Sequence, residues 1–149
     1  LDKKISGVYP HTVEYKRSIL FRGFDDIFWV PHSRHTTVKR EEIEKVPELR
    51  ILASSEEAGV YAVAIEKGKQ VFIMGHSEYD PLTLHEEYVR DVNKGLEIDV
   101  PVNYYPDNNP ELPPIVRWRA HANLLYCNWL NYFVYQTTPY DLNELKNNK

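Results

Sequence analysis

Two side chains with the types and spacing of proton-transfer chemistry stand in the run Gly75-His76-Ser77-Glu78-Tyr79-Asp80. Side chains two apart in extended backbone point the same way, so Glu78 can orient the His76 imidazole and stabilise its protonated form. They supply the base and orienting acid of an acyl-transfer triad, which also needs a nucleophile. Cys127 is the single cysteine. It sits mid-pattern in the apolar helical run 123–130, without flanking glycines to form a strained elbow or cationic neighbours to activate it, and is expected to be a buried structural thiol. The residues therefore read as the base-bearing part of a larger enzyme. Leu1 in place of an initiator methionine agrees with a chain that begins partway through something. An ordinary strand-end ion pair between His76 and Glu78 stays open as the plainer reading. His32 and His35, three apart, find no third ligand at a recognisable spacing, so no metal site is expected. His85 and His121 are assigned to packing or solvent-facing roles.

The elements that must position this run are legible from periodicity. Gln70 to Met74 has the β-branched, apolar character of a buried strand, which puts the chemistry at a strand's carboxyl end. Upstream, Ile5 to Glu14 alternates as a strand with Gly7 as a possible bulge, and Ile27 to Val30 is a short strand stopped by Pro31. Pro31 to Thr36 then reads as a polar loop. Lys39 to Val46 predicts a short helix closed by Pro47, followed by strands over 49–53, 60–65 and 70–74, the last two joined by a turn at Glu66-Lys67-Gly68-Lys69. Asp80 as N-cap and Pro81 at the first position open the next helix, with Leu84, Tyr88 and Val92 on its apolar face, Glu86 and Arg90 one turn apart, and Gly95 at its end. Residues 99–117 hold five of the ten prolines and predict a long loop of fixed shape. A helix over 118–136 is apolar on more than one side, Pro139 ends it, and 143–149 should be a polar tail.

Composition narrows the class. At 149 residues the chain can bury a real core, and its 42% hydrophobic and 27% charged residues are ordinary for a folded domain. Its 18 Lys and Arg are scattered among 22 acids, which argues against a nucleic-acid partner. No apolar stretch approaches the ~20 residues of a membrane span, and no signal-like start is present, so a cytoplasmic location is expected. The 11 tyrosines suit ordered loops held by aromatic packing. Helices mixed with strands indicate an α/β or α+β arrangement, and chemistry at a strand's carboxyl end favours a doubly wound sheet.

Jointly, Arg22-Gly23-Phe24-Asp25-Asp26, Pro31-His32-Ser33-Arg34-His35-Thr36, Gly75 to Asp80, Asn128 to Gln136 and Thr138-Pro139-Tyr140-Asp141 resemble motifs of the homoserine O-acyltransferase family. These are acetyl- or succinyl-transferring enzymes of methionine biosynthesis. The resemblance covers nearly all of this chain but only the C-terminal half of the family's usual length. It implies an α/β fold: the C-terminal part of a doubly wound, class I glutamine amidotransferase-like (flavodoxin-like) domain, with residues 1–142 as half of one domain. It implies His76 as base, Glu78 as its partner, Ser33 and Arg90 as residues that hold the amino-acid substrate, and Lys4 as a further substrate contact. It also implies a nucleophilic cysteine in the N-terminal half, homoserine as substrate, acetyl-CoA in preference to succinyl-CoA as co-substrate, and no bound cofactor. A homodimer is plausible from the two-sided apolar helix. Two alternatives stay open: a binding module that holds an amino acid without reacting, and a fragment of a glutaminase-like hydrolase.

Overall fold

The computed structural model describes residues 1, 3–65 and 70–136. The expected turn at 66–69, the Thr138 to Asp141 motif, the helix stop at Pro139 and the tail at 143–149 lie outside the described residues. Among the described residues, five strands and three α-helices follow one another in the order β1 (Ile5–Val13), β2 (Ile27–Arg34), α1 (Arg40–Glu44), β3 (Leu49–Ser55), β4 (Gly59–Ile65), β5 (Val71–Ile73), α2 (Thr83–Asn93) and α3 (Arg119–Trp129). A π-helical turn, Leu130–Tyr135, continues α3. Among the described residues, no helix is long and apolar enough to cross a membrane.

The strands form one sheet in the order β2-β1-β3-β4-β5. Every strand pair in it is antiparallel. The mixed α/β character is as expected, but the described sheet is not of the parallel, doubly wound kind. Its successive strands β3, β4 and β5 follow one another without an intervening helix, and parallel neighbours need a long crossover. The parallel contact among the described residues is an isolated bridge between Gly7 and Val102. Gly7 is required there, because a Cβ would sit 2.5 Å from the Val102 backbone nitrogen and oxygen.

Several local expectations shift. Pro31 does not stop β2, which runs on through Ser33 to Arg34, with Pro31 opposite Val8 and Ser33 opposite Ser6. An edge strand tolerates a residue without an N–H, and β2 is an edge of the sheet. β5 is not buried: it is the other edge, and Phe72 and Ile73 are exposed. Helix α2 begins at Thr83 with no side-chain cap, so Asp80 is not its N-cap. Asp80 contributes its carbonyl instead, which accepts the Thr83 N–H.

One face of the sheet carries a core of Leu20, Phe21, Phe28, Val30, Leu52 and Tyr61, joined by Leu125 from α3. Val8, Leu84, Tyr104, Tyr105, Trp118 and Ala122 form a second cluster, which Trp29 and Tyr79 abut. The proline-rich segment is fixed as expected, because Tyr104 and Tyr105 are buried and their hydroxyls bond the Pro81 carbonyl and His85 Nδ1. Along α3 the buried line is Ala122, Leu125 and Asn128. Asn128 donates to the Leu20 and Arg22 carbonyls, an inward role that puts a polar residue where an apolar stripe was expected. Cys127 stands off that line and is exposed, contrary to the expected buried thiol.

Candidate active site

The segment after β5 is pinned residue by residue. Met74 N–H donates to the Tyr61 carbonyl of β4 at 2.8 Å, and His76 N–H donates to the Pro31 carbonyl of β2 at 2.8 Å. Between them Gly75 crosses close over β2. A Cβ at Gly75 would lie 2.7 Å from Val30 Cγ1 and 2.9 Å from His32 Cε1 and Nε2, so any side chain there displaces the crossing. Beyond it, buried Ser77 shares a 2.7 Å hydrogen bond with the Tyr61 hydroxyl, and Trp118 Nε1–H donates to the Tyr79 carbonyl at 3.0 Å. Both ends of the run are thus tied to the core.

On this support His76 Nδ1 stands 2.7 Å from Glu78 Oε1. The two side chains are 36% and 54% exposed, so a reacting group can approach them. With Nδ1–H donated to the carboxylate, Nε2 is left as the lone-pair nitrogen, which is the arrangement a general base requires. The Tyr79 ring stacks on the imidazole with centroids 4.3 Å apart and planes 17° from parallel, which holds its orientation.

Tyr79 also connects this pair to α2. Its hydroxyl donates to Glu87 Oε1 at 2.9 Å. Burial, then the Glu87 and Glu78 carboxylates, push the hydroxyl pKa well above the ordinary tyrosine value, while the Ser33 side chain, against the same hydroxyl, opposes that rise. Glu87 Oε2 is buried and has no hydrogen-bond partner. Lys4, Asp91 and Arg90 form a continuous charged line. Lys4 Nζ lies 3.0 Å from Asp91 Oδ2, and Arg90 Nε and Nη2 each lie 2.7 Å from Asp91 Oδ1. Lys4 and Arg90, in that order, hold the Asp91 carboxyl below the usual carboxylate range. Arg90 pairs with Asp91 rather than with Glu86 one turn earlier.

The five residues singled out from sequence thus fall into two groups. His76 and Glu78 touch each other and Lys4 and Arg90 meet through Asp91, while Ser33 lies against the hydroxyl of Tyr79, whose ring stacks on His76. Tyr79, Glu87 and Asp91 were missed. The signal for Glu87 and Asp91 lay in α2, where Glu87 stands three residues before Arg90 and four before Asp91, a spacing that puts charged side chains on one helix face.

A family model described as homoserine O-succinyltransferase matches residues 1–140. A homoserine O-acetyltransferase of Brevibacillus brevis is 62% identical over 146 residues, which are 98% of this chain and 48% of that protein. One of Acetivibrio thermocellus is 60% identical, again over 98% of this chain and 48% of its own length. The chain therefore spans about half the length of the curated relatives it matches. Among solved structures, the crystal structure of SMU.1228c superposes with a TM-score of 0.59 at 17% identity, covering 88% of this chain and 53% of that one, a likeness of fold alone. By the extent of the family match and the identity to these relatives, the chain belongs to the homoserine O-succinyltransferase family.

Proposed function

We propose that the complete protein transfers an acyl group from acyl-CoA to the hydroxyl of homoserine, and that this chain supplies the base and the substrate contacts. The observation that carries the reading is the 2.7 Å contact between His76 Nδ1 and Glu78 in an open position, in a chain of this family. The nucleophile is a cysteine of the other half of the protein. His76 Nε2 takes the thiol proton as sulfur attacks the thioester carbonyl, and returns it to the departing CoA thiolate. It then takes the homoserine hydroxyl proton as that oxygen attacks the acyl-cysteine, and returns it to the cysteine sulfur. Glu78 stabilises the imidazolium in each step.

Homoserine must also be gripped by its α-carboxylate and α-ammonium so that its hydroxyl is aimed at the thioester. Arg90 is half exposed, so its guanidinium retains donors for a carboxylate beyond those held by Asp91. Lys4 and Ser33 complete that contact. The unpartnered Oε2 of Glu87 is suited to the ammonium. Acetyl is preferred over succinyl, a choice supported by the names of the relatives at about 60% identity. In the same reading residues 1–142 are the C-terminal half of one class I glutamine amidotransferase-like domain that works in the cytoplasm.

The test is product formation by the complete protein given homoserine with acetyl-CoA or succinyl-CoA. O-Acetylhomoserine and free CoA are expected. Absence of acyl transfer to homoserine from either donor overturns the proposal, and ammonia release from glutamine would identify the hydrolase instead.

A further inference from the structure

Beneath the Gly75 crossing lies a second histidine pair that the reaction above does not use. His11 of β1 and His32 of β2 are 1% and 0% exposed, with their rings stacked 5.0 Å apart and their Nε2 atoms 3.1 Å from each other. Their outer nitrogens are also occupied. His11 Nδ1 lies 2.9 Å from the Tyr9 carbonyl, and Arg34 Nε lies 3.4 Å from His32 Nδ1.

One placement of protons satisfies these three contacts. A carbonyl can only accept, so His11 Nδ1 carries hydrogen and its Nε2 is the acceptor. His32 Nε2 must then carry hydrogen, which leaves His32 Nδ1 to accept from Arg34. Both rings are neutral in this line. Burial pushes protonation down to about 4 for His11 and about 2 for His32, where the neighbouring His11, Arg34 and His76 oppose a further positive charge. The Tyr9 and Tyr61 rings close over the pair from β1 and β4.

His32 touches the His76 segment at successive residues. Its ring fills the space a Gly75 side chain would need, it interacts with the Met74 carbonyl, and the residue before it, Pro31, accepts the His76 N–H. An aliphatic floor would fill the same volume without the cost of desolvating two imidazoles. What the hydrogen-bonded line adds is direction, because a ring bonded at both nitrogens cannot tilt or slide. We propose that His32, braced by His11, is a positioning residue for His76: a neutral imidazole floor that fixes the Gly75 crossing and so the reach of the base. This rests on the reading of His76 as the base.

The test uses the complete protein with His32→Phe, His32→Gln and His11→Asn, measuring steady-state acyl transfer and the NMR titration of the His76 ring. His32→Phe keeps the filled volume and loses the line. It is expected to lower kcat ten- to a hundredfold, with KM for homoserine changed less than threefold, and to move the His76 titration midpoint. His32→Gln places an amide N–H near the Nε2 position and is expected to recover at least a third of kcat. Should His32→Phe not fold, His11→Asn keeps the bond to the Tyr9 carbonyl, removes only the acceptor for His32, and is expected to show the same signature. Variants with kcat within twofold of the parent and an unmoved His76 titration overturn the proposal, as does equal loss in the Phe and Gln variants that tracks only the folded fraction. The His76 titration needs no turnover, so a parent that fails to transfer acyl groups defeats the proposed reaction without deciding this inference.

Discussion

His76 and His32 meet at one crossing of the chain, yet one imidazole is half open and bonded to a carboxylate while the other is sealed against a second imidazole. The open ring has an anionic partner for its charged form and a free nitrogen, so it can exchange protons with a substrate. The sealed ring has a cation beside it and no path to solvent, so its proton stays where the hydrogen bonds place it. Partner and burial, rather than residue type, separate the proposed base from the proposed brace.

The contrast can be broken most severely at the residue between them. Gly75→Val puts branched bulk into the contact with Val30 and His32. It is expected to lower acyl transfer by ~100-fold or more, since overpacking costs about 1–3 kcal/mol or moves the backbone. Near-parental kcat in a folded variant would show that the crossing does not position His76. Asp91→Asn tests whether the charged line serves the substrate rather than the base. It removes the anion between Lys4 and Arg90 and is expected to raise KM for homoserine about tenfold, leaving CoA release in the first half-reaction close to parental. Equal losses in both half-reactions would place Asp91 in the folding of the site as a whole.

Acid separates the two pairs in another way. The folded chain holds His11 and His32 neutral, whereas the unfolded chain binds those protons near pH 6.5, so their contribution to stability is complete above that pH. It declines as pH falls from 6.5, toward about 4 for His11 and about 2 for His32. Urea midpoints are expected to be lower at pH 5 than at pH 7.5, and His11→Asn with His32→Gln should flatten the difference. A midpoint independent of pH over that range would mean that the pair is not sealed. The smallest effect is expected from Tyr79→Phe, which keeps the stack on His76 and loses the hydroxyl bond to Glu87. Such a bond contributes about 0.5–1.5 kcal/mol, so a roughly two- to tenfold rise in KM for homoserine follows, with the pH profile of kcat unchanged.

Much of this architecture was legible in the sequence. β3, β4, the helix ended by Gly95 and the rigid proline-rich loop follow from local periodicity and turn chemistry. The His76 and Glu78 contact was expected from extended backbone, whereas residues 77 and 78 lie in a turn closed by the Tyr79 N–H to the His76 carbonyl, and that turn brings the two side chains together. What was not legible depends on partners distant in the chain. Pro31 reads as a stop until β2 is known to be an edge strand, and Asp91 reads as a surface acid until Lys4, 87 residues away, is placed against it. The His11 and His32 pair has no sequence signature, since its members lie on different strands. Cys127 reads as buried because its helix is apolar, yet the buried line falls through Asn128, whose amide is taken up by the Leu20 and Arg22 carbonyls. The antiparallel order of the sheet was missed because a candidate site at the end of a strand does not specify the direction of the neighbouring strand.

The most direct measurement is the rate of CoA release in the first turnover of the complete protein mixed with acetyl-CoA, compared with that of His76→Ala. Loss of the base should slow this step about 10²- to 10⁴-fold while thermal stability stays near parental. First-turnover release at an unchanged rate would contradict the role assigned to His76 and, with it, the division between an open and a sealed imidazole.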